Sequence, residues 1–153
     1  MPYLTHILSM GLLCLTLLAS CTDSPLPYKY ESVDATGWNS NDTIRINIPA
    51  PRSSKNTLRI SVRTTQDYPC NHLHLSATLN RGSILLHTAD IRVSIYNDSG
   101  ESTGKGILYN ECTSSATLPL PPDGNDTIYT LIVTHKMNRN PICGISDVGV
   151  IIE

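Results

Sequence analysis

The chain has 153 residues, and 11 Lys and Arg against 13 Asp and Glu give a formal net charge of -2 at pH 7. Both signs are mixed along the chain, which argues against a basic surface for nucleic acid or acidic lipid. The apolar residues are mostly Ile, Val and Leu among many Thr and Ser, with no Phe, a composition typical of β-strands.

An apolar run from Ile7 to Leu18 leads into the sequence Leu18-Ala19-Ser20-Cys21. The run is about 12 residues long, too short for a hydrocarbon core that needs about 20. A branched apolar residue, two small residues and a cysteine resemble a bacterial lipobox, although residues 1–6 lack the usual Lys or Arg. We therefore predict that residues 1–20 are a lipoprotein signal peptide and that Cys21 becomes the lipid-carrying N-terminus. An ordinary secretory signal is the alternative.

The segment after Cys21 is polar and contains Pro25 and Pro27. Such a composition predicts an extended tether over residues 21–35, followed by a folded domain over residues 36–153. Without the signal peptide about 130 residues remain, enough for one domain core and too few for two.

Three aromatic residues stand near the start of this domain. Tyr28 and Tyr30 lie two positions apart, so they point the same way on an extended chain and fit the start of a first strand. We interpret Trp38, the single tryptophan, as a core or rim anchor, with ligand stacking as the alternative.

Apolar and polar residues then alternate in several stretches, which is the period of a half-buried strand. The inward-facing sets are Ile44, Ile46 and Ile48; Leu58, Ile60 and Val62; Leu73, Leu75, Ala77 and Leu79; and Ile91, Val93 and Ile95. Shorter apolar segments, at residues 84–86, 127–135 and 148–152, complete the strands.

Two segments between these strands are less regular. We predict that residues 104–109 return as a hairpin partner of the Ile91–Ile95 strand, with Lys105 exposed. Residues 113–124 contain three prolines and an Asp-Gly pair, which favour a loop. The sequence therefore predicts an all-β fold, an antiparallel β-sandwich of immunoglobulin-like or jelly-roll-like type with about seven to nine strands.

The chain contains five cysteines, of which Cys14 falls in the signal peptide and Cys21 is the lipid site. An exported chain meets an oxidising compartment, so Cys70, Cys112 and Cys143 would form one disulfide with one thiol left over, or remain isolated core thiols. The sequence leaves both arrangements open.

Few residues carry recognisable chemistry. Cys70, His72 and His74 share one strand face and are Zn-type ligands, but such neighbours lie about 6–7 Å apart and no fourth ligand is evident. Residues 100–106 resemble a phosphate loop only loosely, because Gly106 replaces the required Ser or Thr. We find no nucleophile elbow or paired catalytic carboxylates, so we predict no enzyme, metal or cofactor.

The end of the chain carries a family resemblance. Residues 129–137 read Tyr-Thr-Leu-Ile-Val-Thr-His-Lys-Met, and residues 142–150 read Ile-Cys-Gly-Ile-Ser-Asp-Val-Gly-Val. This block resembles the gliding-motility lipoprotein GldH family of Bacteroidota. Upstream matches follow in order: Trp38, Leu58–Arg63, Tyr68-Pro69, Asn71-His72-Leu73, Asp98-Ser99-Gly100, Gly104-Lys105-Gly106 and Tyr109. The chain departs from the family pattern at Asn138, where arginine is usual, and at Cys70 and Cys143.

The resemblance implies a small, non-enzymatic lipoprotein of the cell envelope that supports gliding motility and type IX secretion through contact with other proteins. The family also occurs in relatives that do not glide. The resemblance therefore implies a role in secretion, and it does not imply that this organism glides. Few acidic residues follow Cys21, which favours a periplasm-facing domain over surface export. The alternative is a carbohydrate-binding or adhesin module, motivated by the sandwich and its Tyr and Trp residues.

Residues of the closing block are the candidate partner-binding site. His135, Lys136, Met137 and Arg139 would form a surface patch on the final loop, together with Asp147. The structural alternative is that Asp147 accepts backbone hydrogen bonds while Gly144 and Gly149 permit a turn and close backbone approach.

Two short sequences, Asp42-Thr43-Ile44 and Asp126-Thr127-Ile128, resemble the O-glycosylation acceptor used in Bacteroidota. Modification at Thr43 and Thr127 would require both side chains to be exposed. Ordinary strand starts are the alternative.

Overall fold

The computed structural model of the protein describes residues 27–51, 56–123 and 126–153. The predicted signal peptide, Cys21 and the first part of the predicted tether therefore lie outside the described residues.

The described residues form strands and no helix. The strands are β1 (Pro27–Ser32), β2 (Ile44–Pro49), β3 (Asn56–Thr64), β4 (His72–Arg81), β5 (Ile84–Ser94), β6 (Asn110–Leu120), β7 (Ile128–His135) and β8 (Ile145–Ile152). They build two four-stranded sheets, with strand orders β1-β8-β3-β6 and β2-β7-β4-β5. The prediction of an all-β sandwich is confirmed.

The pairing follows a single rule. β1 pairs with β8, β2 with β7, β3 with β6 and β4 with β5, all antiparallel, as in one long hairpin. β3 also pairs with β8, and β4 also pairs with β7, so the long hairpin folds over on itself and its strands divide between the two sheets. Eight strands in this arrangement are a jelly roll, so the immunoglobulin-like alternative is wrong.

The core lies between the sheets and includes the inward-facing residues that the alternation predicts, together with Leu118 and Leu120 of β6, which it does not. Leu73, Leu75, Ala77 and Leu79 of β4 are fully buried, as are Ile46 and Ile48 of β2. Trp38 is 2% exposed and belongs to the same core, which confirms its interpretation as an anchor and excludes ligand stacking.

Three predicted boundaries are wrong. Residues 27–32 of the predicted tether are β1, because Pro27 to Ser32 pair with β8 and extend its sheet. Residues 84–94 form one continuous strand instead of two. Residues 104–109 are not a strand, and the hairpin partner predicted there is replaced by the single bridges Tyr96–Ser102 and Lys105–Glu111.

The predicted loop at residues 113–124 is also wrong, since residues 110–120 form β6. The alternation is hidden by a bulge: Arg59 pairs with Thr117, but Ser61 pairs with Thr113. At the bulge the Ser114 hydroxyl accepts the N–H of Ile60 at 3.1 Å and donates to the carbonyl of Ala116 at 2.7 Å. Pro119 is tolerated because β6 is an edge strand.

The register decides which connections share an end of the sandwich. Ser32 pairs with Asp147, and Thr64 pairs with Asn110 and Ile145, so these five residues mark one end. We call it the loop end; it holds the connections 33–43, 65–71, 95–109 and 136–144. The opposite end, here the entry end, holds Pro27, Glu153 and the described residues of the other three connections, 50–51, 82–83, 121–123 and 126–127.

Candidate functional site

His135, the first residue of the predicted partner-binding patch, is buried at the loop end. Its Nε2 lies 3.0 Å from the carbonyl oxygen of Trp38, and its Nδ1 accepts the N–H of Met137 at 3.2 Å. Since Nδ1 accepts, the proton is on Nε2 and is donated to Trp38. Burial lowers the pKa of His135, which keeps the ring neutral. The assignment of His135 to a surface patch is therefore wrong, because the residue is only 3% exposed.

Trp38 and His135 connect two distant loops. The rings meet edge to face with centroids 5.3 Å apart. Trp38 also exchanges backbone hydrogen bonds with Ile142, each 2.9 Å long, and its indole N–H donates to the carbonyl of Asp42 at 3.0 Å. The connection 33–43 and the connection 136–144 are thus one packed unit.

The remaining residues of the patch differ in exposure. Lys136 is exposed, and its ammonium group donates to the Asp90 carboxylate at 2.6 Å. Met137 is half-buried against the core, and its sulfur accepts the N–H of His74 at 3.3 Å. Arg139 is exposed. Of the four predicted patch residues at positions 135–139, Lys136 and Arg139 are therefore the ones that present their side chains to solvent.

Asp147 lies on the other sheet, at the start of β8. Its carboxylate accepts hydrogen bonds from the hydroxyls of Ser32 at 3.0 Å and Ser146 at 2.8 Å. The bond from Ser32 joins β1 to β8, which favours a structural role for Asp147, although its donors are side-chain hydroxyls and not the backbone amides that the sequence predicts. The side chain also lines an open groove of about 490 Å³ that reaches Tyr109 and Cys143.

Two glycines of the closing block allow close approach, as predicted. Gly144 has φ +81°, and a Cβ there would lie 2.6 Å from the backbone N and Cα of Tyr68. At Gly149 a Cβ would overlap the ring of Tyr30. That ring crosses Gly149 so that its hydroxyl reaches the hydroxyl of Ser61 at 2.8 Å, and the Arg63 guanidinium lies 3.7 Å from its centroid.

The feature that sequence reasoning missed is a run of exposed apolar side chains in the connection between β5 and β6. Ile107 is 96% exposed, Leu108 83% and Tyr109 46%. We call these three residues the apolar tip. Three consecutive apolar residues without alternation, placed after a glycine, were the available signal. The prediction of a strand at residues 104–109 places these side chains in the sheet instead.

The base of the apolar tip is hydrogen-bonded. Lys105 and Glu111 exchange backbone hydrogen bonds of 3.1 and 2.9 Å, which close the loop. Below them the Thr103 hydroxyl donates to the carbonyl of Ser94 at 2.7 Å. A Cβ at Gly104 would lie 2.7 Å from the sulfur of Cys112, so the loop packs closely on β6.

A groove of about 460 Å³ lies beside the apolar tip and is lined by Arg63, Lys105 and Glu111. The Arg63 guanidinium donates to the Glu111 carboxylate at 3.2 Å. Lys105 is exposed and makes no ion pair with any residue that the structure describes. The apolar tip therefore stands next to an uncompensated positive charge.

The three cysteines of the domain are not bonded to one another. Cys112 is buried, which raises the pKa of its thiol, Cys70 is half-buried and Cys143 is exposed. His72 and His74 lie on the outer face of β4. Within the described ranges no three His, Cys, Asp or Glu side chains are grouped closely enough to hold a metal ion.

The potential glycosylation sites differ. Thr43 is exposed, whereas Thr127 is half-buried and its hydroxyl donates to the Asp123 carboxylate at 3.0 Å. Modification at either residue stays a prediction. Among the aromatic residues from Tyr30 to Tyr129, Tyr109 is the exposed one, so these residues form no exposed row of the kind that binds sugar rings.

A scan against protein-family models matches residues 27–152 to a model described as GldH lipoprotein. The match spans all eight strands and both ends of the sandwich. Searches of curated proteins and of solved structures found no match. Across residues 27–51, 56–123 and 126–153, no helix has the length and apolar character needed to span a membrane.

Proposed function

The chain belongs to the GldH lipoprotein family, and on that premise we propose that it is a lipid-anchored, non-enzymatic subunit of the envelope machinery for gliding motility and type IX secretion. It acts by contact with other proteins of that machinery. The observation that carries this proposal is the family match over residues 27–152, which covers the whole described domain.

The proposed anchor is a lipid on Cys21. Acyl chains contribute about 0.8 kcal/mol per buried methylene, and two or more hold a protein stably on a bilayer. Residues 22–26 separate Cys21 from β1 and can span at most about 20 Å. Because β1 starts at the entry end, this short link holds the entry end near the bilayer and directs the loop end away from it.

The described surface supports contact rather than catalysis. The apolar tip at the loop end is a solvent-exposed apolar patch, a feature typical of protein interaction sites. Asp147 and His135, two ionisable residues of the predicted partner-binding site, both form hydrogen bonds that hold strands and loops together.

The anchor is tested by labelling cells with palmitate and separating membranes from soluble protein. We expect the wild-type chain to incorporate the label and to sediment with membranes, and the Cys21→Ala variant to do neither. A Cys70→Ala variant is the matched control, since it removes a half-buried cysteine of the domain. Label that persists in Cys21→Ala, or an unprocessed chain in the cell interior, would contradict the anchor.

The role in the machinery is tested by deleting the coding sequence and measuring export of type IX cargo proteins, with gliding as a second readout where the organism glides. We expect export to fail and to be restored by the wild-type chain. The tagged wild-type protein, extracted in mild detergent, should bring down components of the secretion machinery. Recovery of envelope polysaccharide without those components would favour the carbohydrate-binding alternative.

A further inference from the structure

Ile107 and Leu108 are the two most exposed large apolar side chains of the described residues, at 96% and 83%. Water contact with both is unfavourable, and burying each of them in a complex would be favourable in proportion to the area covered. Single exposed apolar residues are common on protein surfaces, but consecutive ones at the end of a closed loop form a protruding patch.

The loop holds this patch in one place. The paired backbone hydrogen bonds between Lys105 and Glu111 fix its base, and the packing of Gly104 on Cys112 fixes the base to β6. A patch that is already ordered loses little conformational entropy when it binds, which favours affinity.

The charged residues around the patch indicate the charge of the partner surface that would contact it. Arg63 and Glu111 neutralise each other, whereas Lys105 has no ion-pair partner among the described residues. A partner surface with carboxylates around an apolar pocket would complement this arrangement, with Lys105 meeting the acidic rim.

A bilayer is the less favourable occupant. β6 runs 11 residues from Asn110 at the loop end to Leu120 at the entry end, a length of about 30 Å or more. The proposed tether holds the entry end near the membrane, so the apolar tip lies on the remote side. Lys105 alone also falls short of the basic cluster that binds anionic lipid.

A second copy of the chain is also less favourable. The apolar groove of about 380 Å³ formed by residues 56–57 and 119–122 lies at the entry end. Copies anchored in one membrane hold their tips and these grooves at different heights, so a tip cannot reach a neighbour's groove. A two-fold contact between tips would bring two Lys105 side chains together, and like charges oppose it.

From these observations we infer that the apolar tip is the docking element of this protein: Ile107 and Leu108 insert into an apolar pocket with an acidic rim on another envelope protein. This docking role rests on the function proposed above. It assigns the contact to the connection between β5 and β6 instead of the final loop that carries Lys136 and Arg139.

The first experiment replaces Leu108 with a photocrosslinking amino acid in the full-length chain in its native host. Leu85 is the matched control position, because it is an exposed leucine, 61% accessible, on the hairpin at the entry end. We expect Leu108 to crosslink to one discrete envelope protein and Leu85 not to do so. Crosslinks from Leu108 to lipid, or to a second copy of the chain, would overturn the inference.

The second experiment compares Leu108→Ser with Leu85→Ser for capture of the crosslinked protein. We expect capture by Leu108→Ser to weaken at least about tenfold, the loss expected when a leucine is removed from a buried contact, and capture by Leu85→Ser to be unchanged. Equal capture by the two variants, or loss with Leu85→Ser alone, would overturn the inference.

The proposed contact between Lys105 and an acidic rim is tested by reversing the charge on each side in turn. Lys105→Glu should weaken capture, and changing a carboxylate on the partner's pocket rim to lysine should restore it. Failure of restoration at every rim carboxylate would refute the acidic rim.

If the wild-type chain recovers the secretion machinery and Leu108→Ser does so equally well, the docking role fails while the proposed function stands. If the wild-type chain recovers none of it, the proposed function itself fails.

Discussion

The two ends of the sandwich are built in different ways. At the loop end the connections bury their own side chains, including Trp38, Tyr68 and Ile142. At the entry end no described residue of the connections is buried. Long connections are ordered when they carry their own core residues, so the loop end has a defined shape that can serve recognition, whereas the described residues of the entry-end connections add no buried side chain to the core.

The largest expected effect comes from removing the loop end's central side chain. Trp38→Ala should lower the free energy of unfolding by about 3–5 kcal/mol, because it leaves a cavity and removes the ring that packs against His135 and the indole N–H that donates to Asp42. Denaturant titration measures the change, with Leu85→Ala at the entry end as the control that should change little. A loss below about 1 kcal/mol would show that the loop end is less well packed than described.

The next largest effect is expected at two glycines with positive φ, which separate the stability cost of the backbone conformation from the cost of steric crowding around a new Cβ. Gly144→Ala should cost about 2–4 kcal/mol, because the positive φ is unfavourable and the new methyl group meets the backbone of Tyr68. Gly82, at the entry end, also has a positive φ of +57° but nothing within 4 Å of a Cβ. Gly82→Ala should therefore cost only about 1 kcal/mol. Equal costs in thermal unfolding would mean that crowding at the loop end is unimportant.

A smaller effect is expected from pH. The pKa of His135 is lowered by burial, so the unfolded chain binds its proton more readily than the folded chain. The contribution of His135 to the free energy of unfolding is fully present above about pH 6.5, the ordinary pKa of histidine. It is lost as the pH falls toward the lower pKa that His135 has in the folded chain. His135→Gln should flatten the slope of unfolding free energy below pH 6.5. Part of the slope should remain, because the pKa of His72 is lowered as well. An unchanged slope would contradict a neutral, buried His135.

The smallest effect on stability is expected for the two exposed leucines. Leu108→Ser and Leu85→Ser should each change the free energy of unfolding by less than about 0.5 kcal/mol, because neither side chain packs in the core. Thermal melts of both variants measure this. A large loss for Leu108→Ser would mean that the apolar tip supports the fold rather than a partner contact.

The strands with clean alternation could be predicted from the sequence, and the others could not. β2, β3, β4 and β7 were placed within a few residues because the period of side chains along a strand is local. β6 was missed because a bulge at Ser114 interrupts the period and Pro119 is compatible with a strand only at a sheet edge. Whether a strand is at an edge is decided by its neighbours.

The candidate site shows the same limit. The sequence grouped His135 with Lys136 and Arg139 because they are close in the chain. Trp38 lies 97 residues away from His135 in the chain, and its carbonyl binds the ring and draws it into the core. The apolar tip follows the same logic, because a short apolar run is compatible both with a buried strand and with an exposed loop, and only the neighbouring segments decide between them.

The amino-acid sequence by itself determined the all-β class, the inward faces of most strands and the glycines that allow close approach at positions 144 and 149. These depend on side-chain alternation and on the absence of a Cβ, which are properties of a residue and its chain neighbours. The tertiary structure alone decided the jelly-roll order, the burial of His135 and the exposure of Ile107 and Leu108. Those depend on which distant segments pair, since burial is set by the atoms that surround a side chain and not by its place in the chain.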